Sequence, residues 1–448
     1  GMVAEASQNL QKKVLALKNP QVTQLYNDWL SKKNEYLNFI NASNQQKVGD
    51  KMPSIEQLTN ELNTLEKELS KKVNIGKKPQ KYSWKEIQKK LQADEIAIEV
   101  IRALQSNLAN PKKIDTVYAF LILTAQTTDA PEIVFVPHAN LLETEQLALY
   151  TNTIETRREN FYKELYDNFW GNAIKQSKSL QNLSFKKIYF SPDGVYHKIN
   201  LATLYDESKK QFLGEFLQIY QLTNLKKLAQ NNPTSTLNKT AVLLGYPDYQ
   251  GLEQKTESPN SRGFTQKIEP KEKQRISRFL NFDNVSYLPG TKKETDQIAQ
   301  ILTKNAFNTT LLQDKNATED ALKKIADPTI LHIATHGFFL EDLPETNIMQ
   351  IDNKRMEIAK NPLLRAGLLL ANCSGSLKNA QISSDQEDGI LTAYEAAQLN
   401  LQNTDLVVLS ACETGLGEIA NGEGVFGLQR AFLQAGAKNL IISLWKVD

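Results

Sequence analysis

The chain is poor in the residues that build metal centres and covalent frameworks: 448 residues contain two cysteines and four histidines. Two thiols, Cys373 and Cys412, cannot form a disulfide scaffold, and their scarcity suits a reducing cytoplasm, with a single bridge between them left open. His138 and His197 lie near turns with neither cysteines nor an acidic cluster at ligand spacing, so no metal site is expected. Charge of one sign is also lacking, since 53 Lys and Arg stand against 51 Asp and Glu for a net +2. That balance gives no electrostatic reason to expect a nucleic acid or an anionic membrane as partner. The lysines of the N-terminal third are interleaved with acids and read as a solvated helical surface. No run reaches the roughly 18 apolar residues of a membrane span, and no charged-then-apolar secretory pattern opens the chain. Gly1 ahead of Met2 reads as a tag scar before the natural start.

What is present is enough apolar content, 40%, to bury large cores. At roughly 100 to 200 residues per domain, about two to four units are expected. Residues 1–80 are helical in pattern. Leu25, Trp29, Tyr36 and Ile40 follow one another at helical spacing, and Leu58, Leu62, Leu65 and Leu69 share one face, as in a helical hairpin or bundle. No convincing internal period near 34 residues marks a tetratricopeptide array. Residues 81–237 are mixed α/β, with strands over Ile96–Ile101, Val117–Leu123 and Ile133–Val136, a hairpin turn at Thr127–Pro131, and a long amphipathic helix from Glu143 to Lys175. Ser191-Pro192-Asp193-Gly194 reads as a strand end breaking into a turn.

From 238 to 448 the pattern alternates strand and helix. Strands are expected at Ala241–Gly245, Thr309–Leu312, Thr329–Ala334, Gly367–Leu370, Leu406–Leu409 and Leu440–Leu444. Capping boxes are expected at Thr291 with Glu294 and at Thr392 with Glu395. Continuous apolar strands between capped helices imply a parallel sheet covered on both faces. Polar segments at Glu253–Gln274 and Glu341–Lys360 read as surface loops, the second placed to shape a substrate cleft.

Two strands end alike. Ile330 to Gly337 finishes on Thr335-His336-Gly337, and Leu406 to Gly415 finishes on Ser410-Ala411-Cys412. Reactive groups in an open parallel sheet collect beyond the carboxyl ends of neighbouring strands, so these two can deliver an imidazole and a thiol to one place. Cys412 is then the nucleophile and His336 the general acid/base. Backbone N–H groups of Cys412 and Gly337 are the candidate oxyanion hole, at about 3 kcal/mol per donor. Cys373 lacks a histidine partner and reads as inert, while His332 alternates with apolar residues and points into the packing. Gly415, Gly417, Gly422, Gly424 and Gly427 precede no Gly-Lys-Ser/Thr, so they form a flexible loop rather than a P-loop, which excludes a nucleotide-driven ATPase.

Several motifs together resemble the CHAT domain, the bacterial branch of the caspase and separase superfamily that is often attached to tetratricopeptide repeats. They are Leu288-Pro289-Gly290-Thr291 with Glu294, Ala334-Thr335-His336-Gly337, Asn361 to Gly367, Asp388 to Ala393, Ser410 to Gly415, and Ser443-Leu444-Trp445. Ser191 to Gly194 and Gly245-Tyr246-Pro247-Asp248 fit upstream. The resemblance extends from about Trp84 to the end and implies that 81–237 is the N-terminal part of the CHAT region and 238–448 a caspase-like, mostly parallel sheet flanked by helices, with the all-α region of residues 1–80 ahead of both. It implies His336 and Cys412 as the catalytic pair, at a separation of 412 − 336 = 76 rather than the caspase's roughly 50. It also implies endopeptidase action on a protein or peptide, with neither metal nor organic cofactor. Asp448, shortly after Trp445, is a candidate floor for a basic-residue pocket. Members continue beyond this tryptophan, so the chain reads as truncated or processed at Asp448 and its domain as lacking the final elements. The leading expectation is a cytoplasmic cysteine endopeptidase whose N-terminal helices bind a partner or regulator. The alternative is a non-catalytic caspase-like scaffold or adaptor in a signalling or defence complex.

Overall fold

The computed structural model describes residues 13–14, 17, 19–41, 55–73, 81–106, 114–180, 184–230, 238–251, 285–340, 361–374, 387–411, 418–420 and 424–445. Cys412, Asp448, most of the glycine-rich loop and the two polar segments expected as surface loops lie outside these residues. No helix among the described residues is long and apolar enough to cross a membrane.

Helices α1 (Pro20–Asn41) and α2 (Ile55–Lys72) pack antiparallel. Val22 meets Leu69 and Val73 at one end, and Tyr36 meets Leu58 at the other. Lys32 bridges them, 2.6 Å from Glu35 and 2.8 Å from Glu61.

The first sheet comprises β1 (Glu95–Ser106), β2 (Ile114–Thr124), β3 (Glu132–Phe135), β4 (Lys187–Ser191) and β5 (Gln218–Gln221), in the order β3-β2-β1-β4-β5. β1, β2 and β3 pair antiparallel, while β1–β4 and β4–β5 are parallel. An aromatic core of Phe120, Phe169, Trp170, Phe190 and Tyr196 covers one face. The helix expected from Glu143 to Lys175 is not continuous. Leu147–Thr156 ends at Arg157, whose φ is +52°, and two stretches, Leu142–Gln146 and Asp167–Gly171, are wound as wider π turns. The physical reason is burial: Phe169, Trp170 and Gly171 are consecutive and all buried, which a single stripe at 3.6-residue spacing cannot provide.

The second sheet comprises β6 (Thr240–Pro247), β7 (Asn308–Asp314), β8 (Ile330–Ala334), β12 (Leu406–Ser410) and β13 (Asn439–Ile442), all parallel, in the order β13-β12-β8-β6-β7. Helices α3 (Pro289–Lys304), α4 (Glu319–Lys323), α5 (Ala393–Ala396) and α6 (Leu428–Ala435) fall between these strands. The strand order reverses between β6 and β8, so a crevice opens beyond the carboxyl ends of those two strands. Leu244, Leu331, Ile333, Val407, Leu409 and Phe432 form its core.

Gly367–Leu370 departs from the expectation of a parallel partner. It forms β10 (Ala366–Leu369), which pairs antiparallel with β9 (Gly337–Phe339) and β11 (Ile390–Thr392) in a separate three-stranded sheet. An apolar run signals burial on both faces but not the direction of its neighbours. Close approach makes a side chain at Gly367 untenable, since a Cβ there would lie 2.6 Å from the Phe338 ring and 2.7 Å from the Leu391 carbonyl.

The helical pair docks on this small sheet. Tyr36 and Leu58 pack against buried Leu364, which leads into β10, and against Tyr394, which follows β11. The Lys33 ammonium sits 4.1 Å from the Trp29 ring centroid and 4.8 Å from that of Tyr394, and burial pushes it down to about 8. Leu58→Ala is expected to cost about 2–5 kcal/mol of this contact. Hydrogen exchange should therefore accelerate in α1 and α2 while the core strands of both sheets stay protected.

Candidate active site at the carboxyl ends of the central strands

β8 and β12 are immediate neighbours, with Ile330 opposite Leu406 and Ala334 opposite Ser410. Their ladder runs one step further, Thr335 N–H donating to the Ser410 carbonyl at 3.2 Å. His336 follows Ala334 by the same number of positions as Cys412 follows Ser410. His336 is part-buried at the mouth of the sheet, and Cys412 lies outside the described residues.

The imidazole is oriented from two sides. Nε2 lies 2.8 Å from the carbonyl of Ser286, which only accepts, so Nε2 carries the proton and the ring's lone pair is on Nδ1. Tyr249 packs on the ring with centroids 5.4 Å apart. The backbone is held as firmly. His336 N–H donates to the Tyr249 hydroxyl, which is 2.9 Å from Thr335 Oγ1, and Thr335 in turn donates to the Leu369 carbonyl. Burial pushes the Tyr249 phenol up to about 12, so it stays neutral.

Between β9 and β10 the ladder bonds pass through Leu369 N–H to His336 O at 2.9 Å and Leu340 N–H to Arg365 O at 2.7 Å. Antiparallel alternation makes Gly337 and Leu368 a non-hydrogen-bonded pair, so the Gly337 N–H turns away from β10.

Glu294 has a role that the capping pattern misread. α3 begins at Pro289 after Leu288 with no side-chain cap. Thr291 Oγ1 donates back to Leu288 O at 2.7 Å and accepts from Tyr246 N–H at 3.0 Å. The Glu294 carboxylate instead lies 3.0 Å from Nε2 of buried His332 on β8 and accepts from Ser410 on β12. The imidazole contact is close but not aligned as a hydrogen bond, so the carboxylate meets Nε2 by proximity alone. Burial pushes Glu294 up, but the contacts with His332 and Ser410 outweigh it and hold the carboxyl below its ordinary value. One side chain thus ties together the two strands whose ends carry His336 and Cys412. The sequence signal was an acid one turn into a helix, which looks the same whether it caps or reaches across.

Cys373 is fully buried beneath this site with Tyr249, Phe338 and Leu369, and it is a free thiol. Burial, with Asp388 adding to it, pushes it up to about 12, which keeps it inert. His197 is buried with neither ring nitrogen hydrogen-bonded, and burial pushes it down to about 4. The hairpin formed by Glu418–Ala420 and Gly424–Phe426, within the glycine-rich stretch, rests against the turn Gly194–His197 of the first unit. His138 stands at a helix start with φ +53°.

An acidic group went unread in the sequence. Glu319, Glu387 and Glu395 come within metal-binding distance of one another, but a cation is already there. Lys323 Nζ lies 2.7, 2.9 and 3.2 Å from their carboxylates. Glu395 completes the expected capping box with Thr392 through the Thr392 N–H at 2.9 Å. Burial is the first cause, and the Glu395 carboxylate the second, raising both Glu319 and neighbouring Asp388 well above the carboxylate range, Asp388 to about 7.

The family model described as CHAT domain matches residues 159–448, which is 290 of the 448 residues and includes His336, Cys412 and the whole second sheet. No curated protein matches the chain.

Asp388 carries the expectation with the clearest sign. Its folded pKa lies above its ordinary one, so the folded chain holds an extra proton between 3.8 and about 7, and this contribution weakens the fold as pH rises through that window. Asp388→Asn keeps an acceptor for the Ile390 N–H at 2.8 Å. The stability gained by the variant over the parent should grow from pH 4 to about 7 and then level off, as read from urea midpoints across pH. Lys323→Met should cost about 3–5 kcal/mol near neutrality, because it strands the carboxylates around an apolar tip.

Proposed function

The chain belongs to the CHAT domain family, whose domain is caspase-like, and on that premise we propose that it is a cysteine endopeptidase acting through Cys412 and His336. The observation that carries this reading is the parallel register of β8 and β12, from whose paired ends both residues follow at equal offsets. The hydrogen bond from His336 Nε2 to Ser286 adds to it, because it leaves Nδ1 as the basic nitrogen.

In this mechanism Nδ1 takes the proton from the Cys412 thiol, and the thiolate forms a bond to the scissile carbonyl carbon. The negative oxygen of the tetrahedral intermediate accepts from the N–H groups of Gly337 and Cys412. The C–N bond then breaks as His336 gives its proton to the departing amine, leaving a thioester on Cys412. Water, deprotonated by His336, attacks the thioester, the C–S bond breaks, and His336 returns that proton to the Cys412 sulfur as the acid product departs. No metal or organic cofactor enters this scheme. Asp448 is the proposed floor of a pocket for a basic residue on the acyl side. The helical pair α1–α2 is the proposed seat of a protein partner or regulator, supported by its docking at Leu364 and Tyr394. A reducing, cytoplasmic location agrees with the unpaired Cys373.

The full chain is expected to cleave members of a random peptide library, and Cys412→Ala or His336→Ala to lose at least about a thousandfold in kcat/KM. Undiminished cleavage by Cys412→Ala would remove Cys412 as the nucleophile, and no cleavage by the parent would favour a non-catalytic scaffold. A peptide-linked thiol electrophile should label Cys412 and spare Cys373 in the folded chain, and equal labelling would contradict the activated thiol.

A further inference from the structure

Beyond His336, on the side away from the Cys412 strand, three tyrosine rings follow one another across the carboxyl end of β6. Tyr249 lies 5.4 Å from His336, Tyr287 lies 5.9 Å from Tyr249, and Tyr246 lies 5.7 Å from Tyr287, centroid to centroid. Tyr249 is fully buried, but Tyr287 is 41% exposed. The shelf is built with some strain. The β6–β7 register shifts between Leu244 and Pro247, and Tyr246 adopts φ +51°, a conformation unfavourable for an aromatic residue and held here by its N–H bond to Thr291.

A carboxylate faces this shelf. Tyr287 donates its hydroxyl to Asp248 Oδ1 at 2.6 Å, and that bond is the first cause pushing the phenol up to about 12. Asp248 itself is fixed by its backbone, which accepts from Asn372 N–H at 2.9 Å and donates to Asp314 O at 3.0 Å. Lys292 is already engaged, 5.3 Å from the Tyr246 centroid and 3.2 Å from Asp314. Among the described residues no cation pairs with Asp248, so one carboxylate stands beside a partly exposed aromatic ring. That combination recognises a cation on an apolar stem.

We propose that Tyr287 and Asp248 form a substrate subsite for a lysine or arginine side chain in the leaving-group half of the substrate. The stem lies on the Tyr287 ring and the cation meets Asp248. The assignment to that half rests on the peptidase reading: His336 protonates the departing nitrogen, and the shelf continues from His336 away from the Cys412 strand. It is a second recognition element, separate from the acyl-side pocket.

The test uses the full chain and two measurements. In the first, Nα-acetyl-lysine N-methylamide and its norleucine counterpart are titrated by NMR. The lysine amide is expected to bind about tenfold tighter. Asp248→Asn should erase that preference, and Tyr287→Ala should weaken both ligands while leaving the thermal unfolding curve in place. Equal binding of the two amides, or a preference that survives Asp248→Asn, overturns the subsite. In the second, a library varied on the leaving-group side is cleaved by the parent and by Asp248→Asn. Cleavage without a basic preference there, unchanged in the variant, refutes the subsite and leaves the peptidase reading standing. Absent cleavage with Asp248-dependent binding of the lysine amide refutes the peptidase reading and keeps the subsite as a site for basic side chains.

Discussion

The rest of the site depends on one alignment, the parallel ladder between Ile330–Ala334 and Leu406–Ser410. Side chains alternate with a period of two along a strand, so a slip of one residue would turn every buried group of one strand to the opposite face. Leu331, Ile333, Val407 and Leu409 are all buried in the observed register, which makes such a slip costly in apolar burial. Glu294 adds a polar constraint to the apolar one, because it meets His332 from one strand and Ser410 from the other. Hydrophobic packing sets the register and a shared carboxylate marks it, and the strand ends from which His336 and Cys412 follow are thereby held side by side.

Around that pair the protein places supports of different kinds. The orientation of His336 is a matter of hydrogen bonding, through Ser286, Tyr249, Thr335 and Leu369. The hairpin within the glycine-rich stretch has a packed support in the turn after β4, from a different sheet. The acidic group centred on Lys323 links α4, α5 and the start of β11 by charge. These supports come from segments far apart in the chain.

Much of this was legible in the sequence where one local rule decides the outcome. Apolar runs marked the central strands, and the matching ends of Ile330–Gly337 and Leu406–Gly415 belong to strands that are direct neighbours. The Thr392 and Glu395 capping box formed because both partners sit within one helical turn. Legibility failed where tertiary partners compete with local ones. Glu294 had the spacing of a cap and was recruited by His332 instead. Gly367–Leu370 had the composition of a central strand and pairs in another sheet. The helix expected over Glu143–Lys175 breaks so that Phe169 and Trp170 can both reach the core. The shelf of Tyr246, Tyr249 and Tyr287 joins residues from two segments, and no spacing rule connects them.

The three-stranded sheet β9-β10-β11 has strands of only 3, 4 and 3 residues, too small to be ordered on its own merits. Its order comes from what it touches: the His336 backbone at one end, and Leu364 and Tyr394 under the helical pair at the other. Order in such an element is a shared thermodynamic quantity. Any coupling between docking of the helices and occupation of the crevice would pass through this element, and it would be equal in both directions. A ligand held beside His336 would grip the N-terminal helices more tightly, and anything that pulled those helices away would be felt as a loosened imidazole.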